Sequence, residues 1–145
     1  MTLHFKRYII SHVLVYLIVG IIGMFFMNYK DVFLTNDYFN HFRPLDSPIV
    51  RAAVLFQIIR AALIALILYP FKETLVTSKY GWLYLFGLLF GLTGILSLPA
   101  APGTIEGFIY TDVSFTAHFI GMPEILIQSL GISLLYWRWY KQRRA

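Results

Sequence analysis

The sequence predicts an all-α membrane protein: a bundle of four transmembrane helices with both termini cytoplasmic and two longer outer loops. Three observations carry that expectation. The chain is 59% apolar and only 13% charged, whereas soluble domains run about half apolar and about a quarter charged. Four apolar runs approach the length that crosses a hydrocarbon core. The basic residues divide unevenly between the segments that join those runs. A chain of 145 residues is then read as one membrane domain, residues 1–145.

The first span is residues 8–27, without a formal charge and preceded by the basic stretch MTLHFKR. A secretory signal has a shorter apolar region and closes on small residues at a cleavage site. The run here is full length, so it reads as an uncleaved first helix. Gly20 and Gly23 lie in its outer half, and His12 about one turn inside its start. The first outer loop, residues 28–48, is polar and carries Asp31, Asp37 and Asp46. It ends on a helix start signal, with Ser47 as a cap and Pro48 where no N–H is needed.

The second span is residues 49–69, which Pro70 ends or kinks. A short inner loop, residues 71–79, leads to the third span, residues 80–98. There Tyr80, Tyr84, Gly87, Gly91, Gly94 and Leu98 fall on one helical face. The Gly87-x-x-x-Gly91 spacing lets backbones approach closely, so the Gly87/Gly91/Gly94 face is the expected contact for packing or for a homo-oligomer. Pro99, Pro102 and Gly103 break this helix. The second outer loop, residues 99–123, holds Glu106, Asp112 and His118 but no Lys or Arg. If its stretch TDVSFTAH is extended, Asp112, Ser114, Thr116 and His118 share one side. Pro123 opens the fourth span, residues 124–140, with Glu124 at its positive end. Trp137, Trp139 and Tyr140 read as an interfacial belt beside which Arg138 can snorkel.

The basic residues set the orientation. Lys6, Arg7, Lys72, Lys79, Arg138, Lys141, Arg143 and Arg144 all fall in the termini and the short loop, against Lys30, Arg43 and Arg51 in the longer loops and their flanks. The positive-inside rule places the first set in the cytoplasm. Six of the seven acids then face outward or sit at the outer edge. The compact multi-pass chain points to a cell membrane, most simply a bacterial inner membrane.

Within this frame Arg60 stands out. It lies roughly 18 Å into the second span at about 1.5 Å per residue, and a charge at that depth needs a partner or a wet cavity. Its side chain leans toward the helix start, past Gln57. Ala53, Gln57, Arg60 and Ile64 form a small and polar stripe, and Glu124, Gln128, Gly131 and Arg138 form a complementary one. The expectation is a polar cleft in the outer half of the bundle, with Arg60, Gln57, Glu124 and Gln128 as ligand-binding residues, Glu106 above it, and Arg60 paired with Glu106 or Glu124.

Composition and motifs remove several function classes. The chain has no cysteine, which excludes disulfides, thiolate catalysis, Cys-ligated zinc and iron–sulfur clusters. Without a basic patch on a soluble domain, nucleic-acid binding is not expected. His12 lacks a second transmembrane histidine at matching depth, so a haem is not expected, nor any other cofactor or metal. Three readings remain. The leading one is a membrane protein that binds a lipid, a lipid-linked or anionic ligand, or a partner helix, in a cleft around Arg60. The second is an integral membrane enzyme using Glu106, Asp112 and His118 as acid–base groups. The third is a small oligomeric transporter or channel.

Overall fold

The computed structural model describes residues 2–26, 43, 46–97 and 101–142, and it is helical with no strand among them. In chain order the helices are α1 (Thr2–Phe26), α2 (Pro48–Arg51), α3 (Ala53–Leu68), α4 (Lys72–Thr77), α5 (Gly81–Phe86), α6 (Ile105–Tyr110), α7 (Ala117–Ile120) and α8 (Met122–Lys141). Three segments are long and apolar enough to cross a membrane: Thr2–Phe26, Ala53–Thr77 and Ala117–Lys141. A shorter apolar helix spans Gly81–Ile95. Only 28%, 17% and 22% of the most apolar stretch of the three long segments is buried, so most of their apolar surface points outward. Leu55, Phe56, Ile59, Leu63, Leu66 and Ile67 of α3 are all exposed. Such a surface suits lipid and not water.

Helix α1 is the centre of the packing. It lies against both α3 and α8, and α5 packs on the far side of α8. Its buried face is His4, Arg7, Tyr8, Ser11, His12, Val15, Val19 and Gly23, spaced at three or four residues as one side of a helix requires. Small residues let the neighbours come close. Ala61 and Ala65 of α3 are fully buried, and a Cβ on Gly131 of α8 would sit 3.0 Å from Cγ1 of Val15. Ser129, Ile132, Ser133 and Tyr136 form the buried stripe of α8.

Several boundaries differ from the expectation. Helix α1 starts at Thr2, not residue 8, because the residues read as a basic lead already turn His4 and Arg7 into the core. The second span pauses at Ala52 and passes through Pro70 in a 3₁₀ turn (Tyr69–Phe71) to continue as α4. The proline therefore kinks the helix, and most of the expected loop 71–79 is helical. The reversal falls at Ser78–Tyr80, where the Tyr80 N–H donates to Ser78 Oγ at 3.1 Å and the Trp137 indole N–H donates to the Ser78 carbonyl at 3.0 Å. The last span begins at Met122, and α7 runs almost directly into it. The first outer loop lies largely outside the described residues.

The shorter apolar helix, Gly81–Ile95, contains a register change. From Gly87 to Ile95 the helix is π-type, and the Leu96 N–H reaches the Gly91 carbonyl five residues back at 2.8 Å. Each such turn rotates the next residues relative to an α-helix. The three glycines therefore do not act as one face within the chain. A Cβ on Gly94 would touch Ile125 at 3.6 Å, whereas Gly87 and Gly91 meet open space.

Candidate functional site

Polar side chains enter the core mainly from α1. At the end of the molecule where the basic residues gather, the His4 ring bridges two helices. Its Nε2 lies 2.8 Å from the Ala65 carbonyl of α3, and its Nδ1 lies 2.6 Å from the Tyr136 hydroxyl of α8. A carbonyl only accepts, so Nε2 carries the proton and the neutral ring accepts the Tyr136 O–H at Nδ1. Two turns further along, the His12 Nε2–H donates to Gln57 Oε1 at 3.1 Å. Tyr8 Oη, Ser11 Oγ and His12 Nδ1 are buried without a hydrogen-bond partner among the described residues. This face of α1 is thus a track of polar groups, not a plain apolar seam.

The predicted ligand-binding residues lie on both sides of that track. Gln57 is half-buried against His12, while Arg60 is exposed on α3. The Arg60 charge acts on Tyr8, His12 and Tyr16, all on α1. Across α1, Glu124 Oε1 accepts from Gln128 Nε2 at 2.8 Å, and both side chains are half-buried. The Glu124 charge also acts on Tyr16. The expected direct ion pair does not form: among the described residues Arg60 has no carboxylate within 4.0 Å. The reason is rotation. The buried face of α3 centres on Ala61, Ala65 and Leu68, which leaves Gln57 and Ile64 at its edge and Arg60 beyond it.

The candidate acid–base residues are placed differently. His118 is buried at 4% exposure. Its Nδ1 accepts the Gly103 N–H at 3.2 Å, and its ring stacks on Phe108 with centroids 3.9 Å apart. Gly103 has a φ of 85°, a conformation that favours glycine. Thr104 caps α6, accepting the Gly107 N–H at 2.9 Å. His118 thus fastens this loop to α7. Its substitution by Ala is expected to cost about 1–3 kcal/mol, since the buried Gly103 N–H loses its acceptor; unfolding in detergent measures the loss. Glu106 is half-exposed and Asp112 exposed. The extended side expected for residues 111–118 does not form, because Ala117 and His118 begin α7. Among the described residues no group of three His, Asp or Glu side chains is placed to hold a metal ion.

Two concave regions lie away from Arg60. One, of about 160 Å³, is bounded by the π-helical segment, the Ala101–Thr104 turn and the start of α8, with Phe90, Thr93, Met122 and Ile125 in its wall. The other, of about 430 Å³, lies between the start of α1 and the end of α8. Sequence reasoning missed His4, hidden in the stretch that reads as a basic lead and buried with hydrogen bonds to two other helices. Its signal is spacing: His4, Tyr8, Ser11, Val15 and Val19 continue one helical stripe back into that lead. Compared with known protein families, curated proteins and solved structures, the chain has no match. The fold itself defines the class: a helical protein with three segments able to cross a membrane.

Proposed function

We propose that the protein is a four-span membrane protein, cytoplasmic at both termini, that binds a lipid, lipid-linked or other anionic ligand at Arg60 in its outer half. The observation that carries this reading is the setting of Arg60. It is exposed among exposed apolar side chains, Phe56, Ile59 and Leu63, and no carboxylate among the described residues pairs with it. A guanidinium at bilayer depth is costly unless an anion meets it, and its planar fork suits phosphate or carboxylate. An anionic ligand arriving from the lipid phase supplies that partner. Gln57 stands one turn above Arg60, and Glu124 with Gln128 lies half-buried on α8, offering donors and an acceptor for neutral parts of the ligand. The basic residues at the opposite end support the orientation through the positive-inside rule. They support a cell membrane, of bacterial type, as the simplest location.

The enzyme reading draws less support. The His118 Nδ1 is already an acceptor for the backbone, and Asp112 lies on the surface. The test is native mass spectrometry of protein released from a gentle detergent. In a Lys6→Glu background, which removes anionic lipid held at the other end of the bundle, the protein is expected to retain an anionic adduct, Arg60→Lys to retain it partly, and Arg60→Gln to lose it. An adduct held equally by Arg60→Gln in that background defeats the proposal.

A further inference from the structure

The groove between the start of α1 and the end of α8 has a chemistry of its own. Leu3, Lys6, Arg7 and Ile10 line one wall, and Trp139 and Gln142 the other. The first four recur at three- and four-residue spacing, so they share one face of α1. Arg7 forms part of this wall at only 7% exposure. Its guanidinium lies 4.4 Å from the centroid of the Tyr140 ring, and no carboxylate among the described residues pairs with it. A cation so deeply buried is normally met by an anion and by further hydrogen bonds. Lys6 is exposed beside it, and no acid lines the groove. Leu3 and Ile10 add apolar surface at 47% and 50% exposure.

From this arrangement we infer that the groove is a binding site for the headgroup of an anionic phospholipid. The phosphodiester sits against the Arg7 fork with Lys6 beside it. The Trp139 indole N–H and the Gln142 amide face the ester region, and the acyl chains run along Leu3 and Ile10. A zwitterionic lipid brings its own cation to two cations and fits worse. Inorganic phosphate lacks the chains that Leu3 and Ile10 hold. The site lies at the opposite end of the bundle from Glu124 and does not depend on a ligand at Arg60. It requires only that the long helices cross a membrane.

The test is thermal unfolding of delipidated protein in detergent, with phosphatidylglycerol, phosphatidylcholine or inorganic phosphate added at equal concentration. Phosphatidylglycerol is expected to raise the midpoint in a saturable way, and the other two to leave it in place. Lys6→Gln, at the exposed rim, folds normally and needs about fivefold more phosphatidylglycerol for the same shift. Lys6→Glu loses the response, and Arg60→Gln keeps it. An equal response to phosphatidylcholine or to phosphate overturns the inference. So does an undiminished response in Lys6→Glu, or a response lost in Arg60→Gln and kept in Lys6→Glu, which moves the lipid to α3.

Discussion

Gly81→Ala is expected to prevent the α4–α5 reversal from closing and to cost more than about 4 kcal/mol, the range reserved for severe packing faults. The cause is backbone contact. A Cβ on Gly81 would lie 1.8 Å from the Leu75 carbonyl oxygen and 2.7 Å from its carbon. Neither atom can rotate away as a side chain would, so α4 and α5 must separate. Separation also uncouples α8, because the Trp137 indole reaches the Ser78 carbonyl in that reversal, and it opens the packing around Leu75, Val76 and Leu85, all at most 3% exposed. Gly87→Ala and Gly91→Ala are the controls, since a Cβ at either position meets open space. Alanine also favours a helix over glycine by up to about 1 kcal/mol, so these two variants should match or exceed the wild type. Unfolding midpoints in mixed micelles, together with the yield of monodisperse protein, measure the contrast. A Gly81→Ala protein as stable as the controls contradicts this account of the turn.

The long apolar helices were legible because composition and the length of apolar runs depend little on tertiary detail. Pro70 was readable as an end or a kink for the same local reason: its missing N–H disturbs one turn wherever the helix packs, here as the 3₁₀ turn Tyr69–Phe71. What the sequence concealed was rotation. Counting gives Arg60 a position along the helix, but its direction depends on which residues of α3 allow the closest approach. Those are Ala61 and Ala65, and they turn Arg60 toward the rim. On α8 the buried stripe runs through Ser129, Ile132, Ser133 and Tyr136, with Glu124 and Gln128 half-buried beside it. The glycines of the third span were misaligned because an α-helical wheel cannot anticipate a π register beginning at Gly87. No residue type there announces an i→i+5 bond. The Thr93 hydroxyl in that segment donates to the Leu89 carbonyl four residues back, as a threonine does in an ordinary helix. His118 looked like chemistry by residue type, and only the loop path shows that its ring nitrogen is occupied by the Gly103 N–H.

His4 makes the strongest single claim about how the bundle is held, and its removal should be the largest loss among the polar core residues. His4→Ala deletes a ring that is 2% exposed, together with its bonds to Ala65 of α3 and Tyr136 of α8. Interhelical hydrogen bonds in membrane proteins average about 0.6 kcal/mol and reach about 1.7 kcal/mol. Two of them, plus the cavity left by the ring, predict a loss of about 3 kcal/mol. The ring also sits edge-on to Phe5, Tyr69 and Tyr136 at 5.5–5.7 Å, so His4→Phe should recover the packing share and only that. Tyr136→Phe removes the hydroxyl that donates to the ring and is expected to cost about 1 kcal/mol. The decisive quantity is the coupling between the two sites. If His4 and Tyr136 act through their shared bond, the double variant His4→Phe/Tyr136→Phe costs less than its two parts added, by about 0.6–1.7 kcal/mol. Strict additivity would mean that the bond contributes nothing and that α1, α3 and α8 are held by apolar packing alone. Coupling within that range would instead make His4 the polar tie that fixes the rotation of α1 between α3 and α8.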